Sequence, residues 1–379
     1  MPQLPKPRRG EPIRVNHREV QFSLYPRDAS PTHRRPIQHT IFSKNPWDLM
    51  LDHVGEDDTP KSIEARSYLN QGKDLFESAT RAEAGAAKPV QLYYAFLNLI
   101  KAYIRNVDES VSLLNVQHGL GDIHSDAGGV LDDLGVKYFR TRNVARVQAL
   151  DAFLKTAKLP RITHEGFFSI EDLLPQILPG HRIWAYNAED RERFIALHNI
   201  AFVENKNDKK CWLKIFLYAD DVSRLGYTQN TIIEKSGLKQ NFKKVKCEQK
   251  SEGRKLLSFE SKLTVDYSRH ATDKLEELVK TIQPFLWSTV GTSPPYRRYY
   301  LYINPTAARE EVVTQLASIY MLTFLLGSIT RYRPNDYGEI LKSKHGARIR
   351  DFLDSQPNQF LFLISSLFIA REISSPSIV

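Results

Sequence analysis

The chain has 379 residues, of which 41% are hydrophobic, and this is enough apolar material for one large domain or two. Its formal net charge of +9 favours anionic partners, because clustered Lys and Arg attract phosphates. The two cysteines have no Cys-x-x-Cys spacing, and no stretch resembles a signal peptide or a membrane span. These features exclude the usual zinc sites and predict a protein of the reducing cytoplasm with no membrane partner.

Residues 1–46 are predicted to form an extended, basic arm. Eight prolines in this stretch disfavour regular helix, and many Arg and His residues lie among them. Such an arm either binds phosphates or lies along the body of the protein.

Residues 47–180 are predicted to be helical. Thr59 and Pro60 suit the N-cap and the first position of a helix, and a second helix is expected from Pro89 to about Arg105. Several glycines then indicate a loop, after which a further helix is expected over residues 144–157.

Residues 181–304 are predicted to contain strands. The stretches 210–218, 255–267 and 298–303 are rich in aromatic and other strand-favouring residues. We expect them to form a small antiparallel sheet, with the basic stretch 240–254 as a connection between elements.

Residues 305–379 are predicted to return to helix and to pack on the first helical region. The expected helices cover residues 307–330, 336–342 and 358–372, and the first is apolar almost throughout, which indicates burial on most sides. The predicted fold class is therefore α+β, mostly α-helical, with helical N- and C-terminal segments that enclose a small antiparallel sheet.

The first candidate site is a set of polar side chains in and after two of these helices: Tyr94, Asn98, Lys101, His118, Arg331 and Arg333. The first three share one face of their predicted helix, because they follow one another by four and three residues. Together the six side chains would bind a phosphate or a carboxylate through charge-assisted hydrogen bonds. The alternative is an internal network of polar and ion-paired groups that joins helical segments.

A second set of basic residues is predicted to contact nucleic acid. Four tyrosines lie among the arginines of residues 296–302, and such a mixture offers both base stacking and phosphate contacts. The predicted nucleic-acid-binding residues are Arg8, Arg9, Lys243, Lys244, Lys246, Arg297 and Arg298. The alternative for residues 296–302 is an ordinary strand that buries alternate aromatic residues and exposes the rest.

An enzymatic alternative rests on Arg193 and His198, which have the spacing found in HEPN ribonucleases. In that family, Arg and His from paired helices stabilise charge and move protons on RNA phosphodiesters. The sequence also contains no P-loop, Gly-x-Gly-x-x-Gly, Gly-x-Ser-x-Gly or His-Glu-x-x-His motif, so it predicts no cofactor and no metal.

Two blocks of sequence resemble the YaaC-like family of bacterial proteins. The first is the aromatic-rich segment 92–102 with His118 and Gly119 after it, and the second is residues 299–302 and 322–326 followed by the segment 330–341. The resemblance implies a bacterial, cytoplasmic, helix-dominated protein with no assigned reaction.

We interpret the chain as a non-catalytic binding protein for an anionic ligand, with nucleic acid ahead of a nucleotide or a partner protein. The sequence leaves open whether the protein is an enzyme and whether it forms a homo-oligomer. A role as a subunit of a bacterial defence assembly is compatible with this hypothesis.

Overall fold

A computed structural model describes residues 4–26, 40–81, 87–123, 134–142, 146–305 and 312–376. The chain divides into two compact units, and each is assembled from separate stretches of sequence. The first unit contains Met1–Phe42, Arg191–Arg309 and Ala370–Val379, and the second contains Ser43–Asp190 and Glu310–Ile369.

The described residues form helices and strands that support the predicted α+β class. The helices are α1 (Pro46–Val54), α2 (Pro60–Arg81), α3 (Lys88–Val107), α4 (Ala149–Thr156), α5 (Ile170–Leu173), α6 (His181–Asn187), α7 (Ala219–Arg224), α8 (Gln229–Lys235), α9 (Leu275–Val279), α10 (Gln315–Tyr332), α11 (Pro334–Lys342) and α12 (Gly346–Ile369). The strands are β1 (Glu11–Pro12), β2 (Arg14–Val15), β3 (Arg18–Glu19), β4 (Thr40–Phe42), β5 (Leu120–Ile123), β6 (Gly135–Tyr138), β7 (Gly166–Ser169), β8 (Phe194–Ala196), β9 (Asn199–Asn205), β10 (Lys210–Tyr218), β11 (Phe242–Val245), β12 (Lys250–Ser251), β13 (Arg254–Ser261), β14 (Val265–Asp266), β15 (Leu286–Val290), β16 (Arg297–Tyr302) and β17 (Glu372–Ser374).

The first unit is built on an antiparallel sheet with the order β1-β9-β10-β13-β11, to which β12 and β14 add at β13 and β10. The prediction of a strand over residues 210–218 is confirmed by β10, and the antiparallel pairing is confirmed as well. Alternate residues of β10, such as Leu213 and Ile215, are fully buried in the core of the unit. Trp212 and Phe216 on the opposite face are buried as well, so β10 is covered on both faces.

Three details of the predicted sheet are wrong. Residues 255–267 do not form one strand, because β13 ends at Ser261 and β14 begins at Val265. The basic stretch 240–254 is not a simple connection, since it contains β11 and β12. A second sheet with the order β15-β16-β8 accompanies the first, so the strands belong to more than one small sheet.

The N-terminal arm packs on this sheet in its described residues 4–26. Strand β1 pairs with the edge strand β9, and Ile13 beyond it is only 2% exposed. Further towards the N-terminus, the carbonyl of Pro5 accepts a 2.9 Å hydrogen bond from the amide of Lys246. Gly10 permits the close approach, because a Cβ there would lie 2.4 Å from the Trp212 ring. The part of the arm at 27–39 lies outside the described residues.

The second unit is mainly helical. The predicted start of α2 is confirmed: Thr59 Oγ1 accepts a 3.2 Å hydrogen bond from the amide of Ser62, and Pro60 is the first helical residue. Helix α3 packs between α2 and α10, and α10 is buried from Gln315 to Thr330 as its apolar sequence predicts. Gly327 brings α10 close to α3, since a Cβ there would lie 3.2 Å from the Pro89 carbonyl oxygen.

The structure corrects several predicted boundaries in this unit. Helix α4 begins at Ala149, and residues 144 and 145 of the predicted helix lie outside the described ranges. Helix α12 begins at Gly346 rather than Asn358 and continues through Pro357. Burial on both sides of that proline outweighs a helix-interior cost of roughly 3 kcal/mol.

The region predicted to be helical also contains a three-stranded antiparallel sheet, β5-β6-β7. Its residues Leu120, Val136, Tyr138 and Phe168 are buried on one side, and α10 packs against β5 and β6. These strands were not predicted because β5 and β6 contain glycine, which has a low strand propensity and weakens a strand interior. Across the described ranges, no helix is both long enough and apolar enough to cross a membrane.

Candidate anion-binding site

Two loops of the second unit lie side by side and build the site. The first follows α3 and is described over residues 116–120, and the second follows β6 and is described over residues 139–142 and 146–148. The amide of Phe139 donates to the Gly119 carbonyl at 2.9 Å, and the amide of Gln117 donates to the Val147 carbonyl at 2.8 Å. Gly119 has a φ of +80°, a left-handed conformation that glycine adopts without strain. Long-range backbone hydrogen bonds therefore fix the two loops against one another.

The loops line a cavity of about 610 Å³, which we call the arginine cavity. The polar and aromatic residues of its lining are Gln117, His118, Phe139, Arg140, Arg142, Arg146, Gln148 and Glu165. Among the described residues of the lining, three arginines accompany one carboxylate, that of Glu165. An anion entering the cavity would meet an excess of positive charge.

Glu165 orders the arginines of the cavity. Its Oε1 atom accepts from the backbone amide of Arg140 at 3.0 Å and from Arg142 Nε at 3.2 Å, and its Oε2 atom pairs with Arg142 Nη2. The Arg140 side chain donates to the Thr163 carbonyl at 3.1 Å. The hydrogen bond from Arg142 is the main cause of a lowered pKa at Glu165, so this carboxylate stays ionised. Arg142 nevertheless remains 79% exposed and accessible to a ligand.

Asp151 in α4 fastens the loop that carries Arg140 and Arg142. Its buried carboxylate accepts from Tyr138 Oη at 2.9 Å, from the Thr141 amide at 3.1 Å and from Arg161 at 2.6 Å. Burial by itself would raise the pKa of Asp151, but these hydrogen bonds lower it overall. The loop is thus held by an ionised group beneath it.

His118 lies at the inner end of the residue 116–120 loop and contacts α3. Its Nδ1 atom forms a short hydrogen bond with the Tyr93 hydroxyl. Burial, followed by the positive charges of Arg331 and Lys101, lowers the pKa of His118 below 6.5. Burial also raises the pKa of Tyr93 far above its usual value of 10, so both side chains are neutral near neutral pH.

His118 is the one residue of the predicted ligand-binding set that lines the arginine cavity. Tyr94 accepts a 2.6 Å hydrogen bond from Arg331, and the Lys101 ammonium lies 5.5 Å from the centre of the Tyr68 ring in α2. Asn98 is buried beside α2, and a Cβ added at Gly72 of that helix would lie 3.4 Å from the Cβ of Asn98.

Arg333 is held by carboxylates. It pairs with Asp122 at 3.7 Å and with Asp336 at 3.5 Å. These contacts correspond to the internal ion pairing that the sequence left open as the alternative at this position.

The predicted nucleic-acid-binding residues all belong to the first unit. Arg8 Nη2 donates to the carbonyls of Ser261 and Lys262 at 2.9 and 3.1 Å. Arg297 is 8% exposed and donates to the Ile373 carbonyl at 3.0 Å. Contacts within the unit therefore occupy these two guanidinium groups.

The other members of this set are more accessible. Arg9, Lys246 and Arg298 are exposed, whereas Lys243 and Lys244 are half-buried. Lys246 pairs with Glu248 at 2.6 Å, and Lys244 contacts the Asn230 side chain.

Arg193 and His198 do not lie on a helix. Residues Phe194–Ala196 between them form strand β8, so the helical context of the HEPN comparison is wrong for this segment. Arg193 Nη1 donates to Tyr302 Oη at 3.2 Å, and the centre of the His198 ring lies 4.4 Å from that of Tyr218, with the two rings tilted by 44°.

The three arginines of the cavity were missed from the sequence. The signal was present as three arginines within residues 140–146, directly after an alternating stretch that ends at Tyr138. A basic loop between a strand and a helix is a common place for binding residues. In the described part of the chain, no group of three or more His, Cys, Asp or Glu side chains could hold a metal ion.

Comparison with known proteins gives one relationship. A family model described as YaaC-like protein matches residues 30–368. Neither the curated proteins nor the solved structures gave a significant match.

Proposed function

The chain belongs to the YaaC-like family, and we propose that it is a non-catalytic binding protein that holds nucleic acid at the arginine cavity. The observation that carries this proposal is the arrangement of Arg140, Arg142 and Arg146 around one cavity, where Glu165 is the carboxylate among the described lining residues. Guanidinium groups bind phosphate oxygens through paired, charge-assisted hydrogen bonds, and arginine is the usual residue for this contact.

The other groups of the cavity favour a nucleic acid over a simple inorganic anion. A volume of about 610 Å³ lies in the range of cavities that bind organic ligands. The Gln148 amide donates to the Gln117 side chain at 2.8 Å, and this pair offers further donors and acceptors to a base edge. Phe139 adds an aromatic surface beside the arginines.

The test is binding of fluorescent single-stranded RNA, single-stranded DNA and duplex DNA over a salt series. Arg142→Gln should weaken binding several-fold. It should also reduce the slope of log K against log salt concentration by about 0.7 for a single strand, because one phosphate contact is lost. Arg146→Gln should act in the same direction.

Arg81→Gln is the matched control. Arg81 is also 79% exposed and pairs with Glu77 at 2.8 Å, as Arg142 pairs with Glu165. The proposal is abandoned if the two Arg→Gln variants lose equal affinity or if neither changes the salt slope. Cleavage of any probe by the purified protein would contradict the non-catalytic assignment.

A further inference from the structure

The three-stranded sheet β5-β6-β7 has an outer face that carries the exposed Phe167 and, beside it, the half-buried Phe139. Because side chains alternate along a strand, the face opposite the buried Val136 and Tyr138 carries Ile123, Lys137 and Phe167. Phe167 is 47% exposed and Ile123 is 38% exposed. We call this surface, together with Phe139, the outer face.

Two glycines seat the aromatic rings on this face. A Cβ on Gly135 would lie 2.4 Å from the end of the Phe167 ring, and a Cβ on Gly121 would lie 3.2 Å from the end of the Phe139 ring. Each ring end therefore occupies the space that a side chain would fill. Coverage of a strand glycine by an aromatic ring is also a known packing device. Packing over Gly135 accounts for the covered end of the Phe167 ring, but it does not account for the 47% of this residue that is exposed.

The outer face is continuous with the arginine cavity. Phe139 belongs to both, because its ring end lies over Gly121 and it also lines the cavity beside Arg140 and Arg142. The Lys137 ammonium lies 5.4 Å from the centre of the Phe139 ring, so positive charge accompanies the aromatic surface. Aromatic rings with adjacent cations are what proteins use to bind the bases and phosphates of single strands.

From this continuity, and on the basis of the proposed function, we infer that the protein binds single-stranded nucleic acid with phosphates in the arginine cavity and a base stacked on Phe167. Phe139 stacks the neighbouring base where the outer face meets the cavity. Duplexes bind less tightly, because paired bases cannot reach either ring. A protein partner is the less favoured occupant, since the arginines of the cavity favour phosphate groups.

The test uses two single strands of equal length and charge: an oligothymidylate and an abasic strand that keeps the phosphates but lacks bases. Phe167→Ala should weaken oligothymidylate binding by about 5- to 150-fold, the range found when one stacked base loses its aromatic partner. The same variant should leave the abasic strand unchanged. Phe42→Ala is the control, because Phe42 is a 43% exposed strand residue of the first unit.

Phe167→Leu and Phe167→Trp guard against a folding defect. The leucine variant keeps the apolar contact over Gly135 but should bind oligothymidylate as weakly as the alanine variant. The tryptophan variant should restore affinity, and its added fluorescence should be quenched by oligothymidylate but not by the abasic strand.

The results separate the two proposals. If Arg142→Gln weakens both strands while Phe167→Ala affects neither, the anion site stands and the stacking surface is wrong. If Arg142→Gln also affects neither strand, the proposed function itself fails. Equal weakening of both strands by Phe167→Ala and Phe167→Leu would overturn the inference in favour of a packing role.

Discussion

The hydroxyl of Tyr93 in α3 and Nδ1 of His118 form a hydrogen bond beneath the arginine cavity. The contact ties the helix with the strongest sequence signal to the loop that lines the cavity. Burial raises the pKa of Tyr93 and lowers the pKa of His118, so it favours the neutral form of both side chains. An anion bound in the cavity would change that balance at His118, and this makes the relationship measurable.

Anion affinity should increase as pH falls from about 8 to 5.5. A bound anion favours protonated His118, so binding takes up a proton when the free imidazole is neutral. In the free protein the pKa of His118 lies below 6.5, and the ligand should raise it. Titration of oligonucleotide binding at constant ionic strength should show this rise in wild type, and His118→Gln should remove most of it. A pH dependence that persists unchanged in His118→Gln would assign the effect to another group.

The lowered pKa of His118 also predicts that the ligand-free protein loses stability in acid. Because the folded pKa of His118 is below the unfolded value, its contribution is fully present above pH 6.5 and is lost as pH falls towards the folded pKa. Urea unfolding of wild type and His118→Gln at several pH values measures the difference. The gap between the two proteins should change below pH 6.5 and stay constant above it.

Asp151→Asn should destabilise the protein by about 2 kcal/mol, because a buried charge-assisted hydrogen bond to Arg161 is lost. It should also weaken oligonucleotide binding, since Asp151 anchors the Thr141 amide between Arg140 and Arg142. The pKa of Asp151 is lowered from 3.8, so its stabilisation is present above that pH and is lost as the carboxylate is protonated. Denaturant unfolding checks the stability and anisotropy checks the binding. Asp74→Asn, at an exposed helical carboxylate, should change neither.

Arg348→Ala should cost about 3 kcal/mol or more of unfolding free energy. The Arg348 side chain is completely buried and donates to Asp351 at 2.9 Å and to the carbonyls of Ile177 and Pro179 at 3.1 and 3.4 Å. Its removal takes a donor from each of these acceptors, although the Pro179 carbonyl also accepts from Gln356 at 3.1 Å. Arg350→Ala, two residues away and exposed, should stay within about 0.5 kcal/mol of wild type. Equal losses in both variants would show that Arg348 has no special role.

Gly10→Ala should release the N-terminal arm from the first sheet. The new Cβ would lie 2.4 Å from the Trp212 ring and 2.8 Å from the Glu204 carbonyl oxygen, and such crowding costs roughly 1 to 3 kcal/mol. Hydrogen exchange should show faster exchange at the amides of Ile13 and Lys246, which bond to this region. Gly338→Ala in α11 meets nothing within 4 Å and should leave exchange in the first unit unchanged.

The sequence by itself determined the elements whose signals are local. The Thr59 cap and Pro60 begin α2, the aromatic helix from Pro89 is present within a residue or two, and β10 occupies residues 210–218 as predicted. Capping hydrogen bonds and the periods of 3.6 and 2 act between neighbouring residues, so the sequence states them directly. The two blocks that resemble the YaaC-like family likewise agree with the family match over residues 30–368.

The tertiary structure alone decided which side chains share a site. Hydrogen bonds between residues 20 to 31 positions apart bring Gly119 to Phe139 and Gln117 to Val147 and Gln148, and no local pattern records such pairs. Tyr93 rather than Tyr94 meets His118, because the packing of α3 against α10 sets which tyrosine points to the loop. Helix α12 also continues through Pro357, because burial of its side chains outweighs the low helix propensity of proline. Contact between distant residues is favoured by the apolar area that the whole unit removes from water, and that free energy depends on the assembled fold.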